Sequence, residues 1–555
     1  MMIIREATGG DVAAITKIFR ACYGADYSDA RFYDPTALNK LVISDDTLVL
    51  VAQEEDSGNI LGTASVILEV GAYADLTGEF GRLAVLPEAR NRGIGKLLME
   101  ERLRRVEERL QVGIIEGRTA HPFTLMIAEG HQFRPVGFLP LKWQLQTRES
   151  IVLCARHFGN ALELRKNHPR LIPEAYPLAC LALENCGVKP DAIVDEEAAV
   201  YPPGGAYNIQ ELTTEGYAAL LRIERGRVRN REIFGPLRLH YGFFLVQARK
   251  SRYLIARDNG AIAGAIGFIL DPVEKVVRVF ELITLHDDII RVLLSHLEHL
   301  CRQQWQICYV EIDVSAYSPC MQRTLVEIGF LPAAYVPALV FHEVERLDAL
   351  KMVRLLTPLE ADTAQLTPRA KIIADTVLRL FKSREVLPRI AEVAQAMPLF
   401  AGLNGEQIKR LAGVCTVSSF RPGEIIFREG GLSDRLYVVL DGKVDIGIER
   451  LGGLVGFVTS GECLGELSLL STAPHSATAT AQTSVETAVL ERKDLAELIR
   501  LRPDIGMQIY KNLAIGLGRK TQTRRLFANT ALNSARLKDG ISPEARERWC
   551  PRGPI

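Results

Sequence analysis

The stretch Val85-Leu-Pro-Glu-Ala-Arg90-Asn-Arg-Gly93-Ile-Gly95-Lys96-Leu-Leu98 decides the fold of the first part of this chain. A strand-like run, Glu79 to Leu86, breaks at Pro87, and an Arg-x-x-Gly-x-Gly turn then opens an amphipathic helix. Glycines at 93 and 95 lack the Cβ atoms that would hold a ligand away from the backbone. The N–H groups so exposed sit at a helix N-terminus, where donors and dipole favour a pyrophosphate. Arg90, Arg92 and Lys96 add positive charge beside them. Such a turn is a phosphate cradle.

Working outward, residues 1–147 alternate helix and strand signals. A helix is expected from about Gly10 to Tyr23, with strands at Thr47–Gln53, Ile60–Leu68 and Glu79–Leu86. A helix from Gly93 to about Leu110 follows, then strands at Val112–Ile115 and Val136–Leu141 around a short helix near Phe123–Glu129. Residues 148–205 form a less periodic connector. From 206 to 346 the same order recurs: strands at Tyr253–Arg257 and Ile262–Leu270 joined by the hairpin turn Asp258-Asn-Gly260, a strand at Val276–Leu285, a helix from about Asp288, and a strand at Ile307–Val314. Val314-Ser-Ala-Tyr317-Ser-Pro with Ile328-Gly-Phe330 echoes Arg118-Thr-Ala-His121-Pro-Phe with Gln132-Phe133, which points to an internal duplication. A helical linker is expected over 347–392. Short, evenly spaced strands with glycine turns over 393–520 imply a small antiparallel barrel with flanking helices, and 521–555 is a basic tail.

At 555 residues the chain is too long for one core, so it divides into domains. Lys plus Arg (67) balance Asp plus Glu (67), so no global field draws it to nucleic acid or an anionic membrane. No apolar run approaches the ~18 residues of a membrane span. Ten cysteines without a C-x-x-C pair read as reduced thiols of a cytoplasmic protein.

The first domain resembles the GNAT (Gcn5-related) N-acetyltransferases, whose Arg/Gln-x-x-Gly-x-Gly signature is met at Arg90, Gly93 and Gly95, with a strand before and a helix after. A dinucleotide-binding turn would need G-x-G-x-x-G and an acid ~20 residues on, and neither that spacing nor the strand order fits. The resemblance implies an α/β (α+β) fold with acetyl-CoA as co-substrate. It implies that the backbone of Leu83, Ala84 and Val85 meets the pantetheine arm, and that Arg90, Asn91, Arg92, Gly93, Ile94, Gly95 and Lys96 hold the pyrophosphate. Acyl transfer to an amine needs a base for the ammonium, a polarised thioester carbonyl and an acid for the thiolate. Glu79, fourteen residues before Gly93, stands where histone-type members carry the base. Period-2 alternation would put it on one strand face with Gly81, Leu83 and Val85; the other reading is a solvated strand-end glutamate. The family's proton-donating Tyr is missing, its position falling near Ala128, so either water or Tyr73 serves or transfer proceeds without that acid, with His121 and His131 as further candidates.

The second copy carries Thr284-Leu-His286-Asp-Asp288 where a phosphate turn should lie. Without Gly-x-Gly, and with two carboxylates, this degenerate GNAT-like domain is expected to have lost coenzyme binding. His296 and His299 share a helix face, but with no third ligand in view no metal is expected.

Pro422-Gly-Glu-Ile-Ile-Phe427 and Asp434-Arg-Leu-Tyr437-Val-Val-Leu-Asp-Gly442 resemble the cyclic-nucleotide-binding domain, a jelly-roll barrel. The cassette Gly465-Glu466-Leu467-Ser468 with Pro474-His475-Ser476 follows. In that family the Glu accepts from the ribose hydroxyl, and an Arg after the Pro holds the cyclic phosphate. Here that position is His475, a residue mostly neutral near pH 7, against a permanent bidentate charge. A DNA reader of the catabolite-activator type is disfavoured, because only 521–555 follows the barrel, and Arg519, Lys520, Arg524 and Arg525 read as a solvated helix end.

Together these features predict an acetyl-CoA-dependent N-acyltransferase, with a protein lysine or another amine as acceptor, regulated by cyclic AMP or cyclic GMP, and with no DNA or membrane partner. The alternative is a non-catalytic scaffold that senses coenzyme A or nucleotide through a degenerate barrel.

Overall fold

The computed structural model describes residues 1–518 apart from 26, 28, 69–74, 146, 227–230, 243–250, 360–363, 395–396, 450–452 and 472. Tyr73 and the basic residues from Arg519 onward therefore lie outside the described residues. The chain divides into two compact units, Met1–Leu378 and Arg379–Ile555.

The first unit is built on one mixed sheet holding two copies of the same strand order. The first copy contributes β1 (Met2–Glu6), β2 (Thr47–Glu54), β3 (Ile60–Ile67), β4 (Thr77–Val85), β5 (Val112–Arg118), β6 (Arg134–Gln144) and β7 (Arg148–His157). A two-stranded pair, β8 (Arg170–Leu171) and β9 (Ile193–Val194), lies in the connector. The second copy contributes β10 (Asn208–Glu211), β11 (Ile233–Phe234), β12 (Ser251–Asp258), β13 (Ala261–Asp271), β14 (Val276–Thr284), β15 (Tyr309–Ser315), β16 (Leu331–His342) and β17 (Glu345–Leu355). The sheet runs β1-β2-β3-β4-β5-β7-β6 and then β16-β17-β15-β14-β13-β12-β10, a mirrored order in which equivalent strands meet at the middle. In each copy one pairing is parallel, β4 on β5 and β14 on β15, at equivalent places in the mirrored order. The duplication read from the local echo is thus carried by the whole topology.

The seam between the copies is a single rung, Ala334 opposite Gly137. A Cβ on Gly137 would lie 2.0 Å from that of Ala334, so the close approach requires glycine there. Polar groups complete the joint. Arg346, fully buried, donates to the carbonyls of Ala338, Leu339 and Asp75 and to Gln111 Oε1. His157 Nε2 sits 2.7 Å from the Pro337 carbonyl.

His157 makes the joint acid-sensitive. Burial pushes its pKa down to about 4 from an ordinary 6.5, with the Pro337 carbonyl partly opposing and Arg346 reinforcing the shift. The folded protein therefore binds fewer protons here than the unfolded chain. The stability present above pH ~6.5 is lost as pH falls toward ~4, on the order of 2–3 kcal/mol in all. Urea unfolding of the first unit should show this loss between those pH values, and His157→Gln should flatten the dependence.

Two segments differ from the expectation. Arg148–His157, assigned to the connector, is a full strand between β5 and β6. Residues 347–355, assigned to a helical linker, belong to β17, paired with both β15 and β16. Both strands are buried on both faces, so neither shows the period-2 alternation of a half-buried strand. The helix Pro368–Ala394 follows, and the division between the units falls within it.

The helices of the first copy are α1 (Val12–Tyr23), α2 (Pro35–Val42), α3 (Ile94–Val106) and α4 (Phe123–Gly130); α2 has no counterpart in the sequence reading. Asp34 caps it through the N–H groups of Thr36 and Ala37. The connector carries α5 (Tyr176–Asn185), and the second copy opens with α6 (Thr214–Gly226). Connector and second copy are tied by a buried cluster. Asp348, 0% exposed, accepts from Arg165 at 2.6–3.0 Å, from the Tyr335 hydroxyl and from the Ala338 N–H.

The second unit contains the barrel, β18 (Cys415–Phe420), β19 (Ile425–Phe427), β20 (Arg435–Asp441), β21 (Lys443–Ile448), β22 (Gly453–Thr459), β23 (Cys463–Leu464), β24 (Thr478–Ala481) and β25 (Val485–Glu491). They form two antiparallel sheets, β18-β25-β20-β23 and β19-β24-β21-β22, with a core of Tyr437, Val439, Val444, Leu464, Ala479 and Val489. The neighbouring strands β24 and β25 lie in different sheets. The helix Arg492–Leu501 and a helical segment 503–518 flank the barrel, as expected.

Candidate functional site

In the first copy β4 and β5 pair only at Thr77–Val112, Gly78–Gly113 and Glu79–Ile114, although both strands continue. Beyond Glu79 they diverge and leave a cleft between two strand edges. Its β4 wall is bulged: Gly81 pairs with Ser65 and Ala84 with Thr63, so one extra residue is inserted. Arg82 takes a left-handed φ of 54° there. The bulge corrects the alternation argument, because the register puts Glu79, Gly81 and Ala84 on one face and Leu83 and Val85 on the other.

Buried Arg102 of α3 holds this bulge. It donates to the carbonyls of Ser65 and Gly81 at 3.2 Å each, and lies over the Phe80 ring. No carboxylate pairs with it among the described residues, and burial pushes its pKa down to about 9.

The turn after β4 forms as the glycines suggested. Asn91 has φ 62° and Gly93 φ 75°, and Gly93 is the N-cap residue of α3. The first N–H groups of the helix have no intrahelical partner. A Cβ on Gly95 would come within 3.1 Å of Ile127 and 3.7 Å of Leu83, so this glycine keeps the passage between β4 and α4 open. Arg90, Asn91, Arg92 and Lys96 are exposed around the turn, and Ile94 is buried beneath it. Arg92 pairs with Glu54 at 2.8 Å and Lys96 with Glu100 at 3.7 Å. Cleft, bulge and turn fit an extended thiol arm ending in a pyrophosphate.

Glu79 opens on a cavity of about 620 Å³. Its Oε1 lies 3.1 Å from Arg82, whose guanidinium also faces Asp29 at 3.8 Å. Tyr23 and Tyr27 of the first copy line the cavity; burial raises the pKa of both, and Arg118 opposes this at Tyr23. The far wall comes from the second copy, through the turn between β13 and β14 (Leu270 to Glu274) and Arg278. The candidate acids read from sequence fall elsewhere. Ala128 is fully buried in α4. His131 caps that helix through Nδ1 and the Ile127 carbonyl at 2.8 Å. His121 is half-buried against Phe123, its pKa lowered by burial and then by Arg118.

The second copy cannot offer an equivalent cleft. β14 and β15 diverge after Val279–Ile312, but β11 enters the gap and pairs with β15. Gly235 follows so closely that a Cβ would lie 2.2 Å from that of Phe280. At the helix Asp288–Gln303, Gly204 packs on the Asp288 carbonyl and the Tyr207 hydroxyl donates to the Asp288 carboxylate at 2.7 Å. The expected loss of the phosphate turn is accompanied by physical occlusion. His296 and His299 lie on that helix, and no group of three or more potential metal ligands occurs among the described residues.

In the barrel, Gly465 (φ 79°) starts the short helix Glu466–Leu470. Leu467 and Ser476 are exposed, and Ser468 is buried with its hydroxyl 3.3 Å from His475 Nδ1. His475 stacks on Phe427 at 3.8 Å, and its Nε2 is buried with no partner among the described residues. Burial lowers its pKa, so the ring is neutral near pH 7. Arg492 instead bonds the carbonyls of Ser468 and Ser471, closing the end of the short helix.

A model of the acetyltransferase (GNAT) domain matches residues 45–125, and one of the cyclic nucleotide-binding domain matches residues 417–502. The chain carries a GNAT domain and a cyclic nucleotide-binding domain. The chain is 31% identical over 131 residues to a CRP-like cAMP-activated global transcriptional regulator of Mycobacterium tuberculosis, covering 23% of this chain and 58% of that one. It is 35% identical over 126 residues to a cyclic AMP receptor protein of Thermus thermophilus, covering 22% and 56%. The chain thus spans less than three fifths of these relatives. Among solved structures, the N-terminal domain of a Streptomyces coelicolor transcriptional regulator is 33% identical, covering 24% of this chain and 93% of that one, with a TM-score of 0.22.

Several groups at the GNAT cavity escape a reading of the sequence. Glu116 of β5 accepts from Lys142 at 2.5 Å and from Trp143 at 3.0 Å. Tyr23 is visible there only as the end of a helix, where it joins the aromatic cluster of Phe19, Tyr27 and Phe32. Arg278 belongs to the other copy, far away in sequence.

Proposed function

We propose that the first copy is an acetyl-CoA-dependent N-acyltransferase and that the cyclic nucleotide-binding domain regulates it. The observation that carries this reading is the cleft where β4 leaves β5, with a glycine turn at one end and Glu79 at the other. The free edge of β4 at Leu83, Ala84 and Val85 would bond the pantetheine arm. The turn from Arg90 to Lys96 would take the pyrophosphate on its N–H groups. Glu79, directly or through water, would take the ammonium proton and leave a neutral amine to attack the thioester. The N–H groups at the bulge, which Arg102 steadies through the Gly81 carbonyl, would receive the oxyanion charge that develops on the thioester. With no tyrosine near Ala128, the hydroxyls of Tyr23 and Tyr27 would be the candidate proton donors for the leaving thiolate among the described residues of the cavity. The acceptor is an amine, a protein lysine or a free amine.

Glu79→Gln should lower amine-dependent release of free thiol by about 10²–10⁴-fold while coenzyme binding persists. Unchanged release would remove Glu79 from this role. For the regulatory half, cyclic AMP and cyclic GMP are titrated separately by calorimetry; no heat at millimolar nucleotide rejects it and leaves the enzyme reading standing. Regulation also requires that nucleotide favour one of two states of the acyltransferase.

A second reading is a scaffold that keeps coenzyme binding without transfer. The neutral, stacked ring of His475 in place of a phosphate-binding Arg favours it, as does the lack of a tyrosine near Ala128. Absence of any amine-dependent thiol release in a coenzyme-binding preparation would select it.

A further inference from the structure

Within the cavity beside Glu79, one cation comes from the copy that has lost its own cleft. Arg278 of β14 lines the cavity and keeps 50% of its side-chain surface accessible. Its Nε is held by Glu311 Oε1 at 2.9 Å. No partner is found for its terminal fork among the described residues. Burial alone would lower its pKa, but the carboxylates of Glu311, Glu116, Glu274 and Glu79 more than offset this, so the guanidinium stays charged. The same interactions place Arg278 and Glu79 within electrostatic reach of each other across the space.

The neighbouring charges are already matched. Glu311 is also paired with Lys142 at 3.2 Å, Glu116 with Lys142 at 2.5 Å, and Lys351 with Asp313 at 2.7 Å. Arg82 serves Glu79 and Asp29. Toward the cavity stand Glu79 on one wall, its Oε1 paired with Arg82, and the planar fork of Arg278 on the other. A guanidinium fork binds a carboxylate through two parallel hydrogen bonds, a geometry an ammonium cannot give. The volume, about 620 Å³, suits a metabolite-sized ligand.

We infer that the acceptor is a small molecule bearing both an amine and a carboxylate, with the amine at Glu79 and the carboxylate on Arg278 of the second copy. This rests on the acyl-transfer reading and adds the acceptor's class. The second copy then serves as the wall that selects the acceptor.

The test uses the full chain with acetyl-CoA and a panel of free amino acids, the same amino acids as carboxamides, diamines, and lysine-containing peptides blocked at both ends. Thiol release is the readout. At least one free acid should be preferred over its carboxamide by about ten- to a hundredfold in kcat/KM, the scale of one charge-assisted contact. In Arg278→Gln that ratio should fall to near one, chiefly through KM. Arg278→Lys, which keeps a charge for Glu311, should fall in between. Equal use of acids and carboxamides, or equal losses on both in Arg278→Gln, overturns the assignment. Transfer to the blocked peptides but to no free acid overturns it while leaving acyl transfer intact. Transfer to nothing in the panel overturns both.

Discussion

Valine at both Gly93 and Gly95 is expected to abolish coenzyme A binding, reducing affinity by more than about a hundredfold as read by calorimetry. Gly93 holds a φ of 75°, where a β-branched residue pays the left-handed penalty of ~1–2 kcal/mol and more for its branching. Nothing lies within 4 Å of a Cβ there, so the cost is one of backbone and not of crowding. Relief of that strain would turn the N–H groups of the cradle away. At Gly95 the effect is steric, since its Cβ would already press on Ile127 at 3.1 Å and the valine methyls would reach into the passage beside Leu83. The turn is exposed, so the variant should fold, and circular dichroism with an unchanged thermal transition would verify this. A folded double variant that held coenzyme A as well as the parent would sink the acyltransferase reading.

The largest stability effect is expected at Asp348. Burial pushes its carboxyl up in pKa and the Arg165 guanidinium pulls it back down, so a buried charge is supported by a buried partner. Asp348→Ala would strip the acceptor from Arg165, the Tyr335 hydroxyl and the Ala338 N–H at once. Arg165 would keep Asp191 at 2.9 Å but lose its fully buried partner. Loss of one member of such a pair costs about 3–5 kcal/mol. Denaturant unfolding of the first unit should shift by that amount. A shift below about 1 kcal/mol would mean that water readily takes the place of the carboxylate.

The parts of the fold that could be read from the sequence are those whose meaning is local. The 90–96 turn, the Asn259-Gly260 hairpin (φ 46° and 85°) and the glycine-punctuated barrel strands all carry their geometry in a few residues. The strands β7 and β17 do not, because a strand buried on both faces loses alternation. In β17, Leu347, Leu350 and Val353 even fall at a three-residue spacing that imitates a helix. Glu79 is located by its distance from Gly93, but the residues sharing its face are not, because a bulge changes alternation and no residue type announces it. Glu116, Arg278 and Glu311 could not be joined in advance, since only the mirrored assembly of the copies brings them to one cavity. At His475 the substitution is legible; its stacking on Phe427 requires the folded barrel.

The wedge formed by β11 has a mechanical corollary. In the second copy the diverging strands are braced permanently by the chain itself, through Ile233–Val314 and Phe234–Asp313, so their stiffness is built in at synthesis. In the first copy the corresponding edges of β4 and β5 have no such brace among the described residues, and their rigidity is borrowed from whatever is lodged between them. Amide protons on the edge of β4 that faces away from β3, beyond Glu79, should therefore exchange quickly and slow sharply on adding coenzyme A, while those of β15 stay slow throughout. One half is a fixed frame; the other is expected to tighten on what it binds.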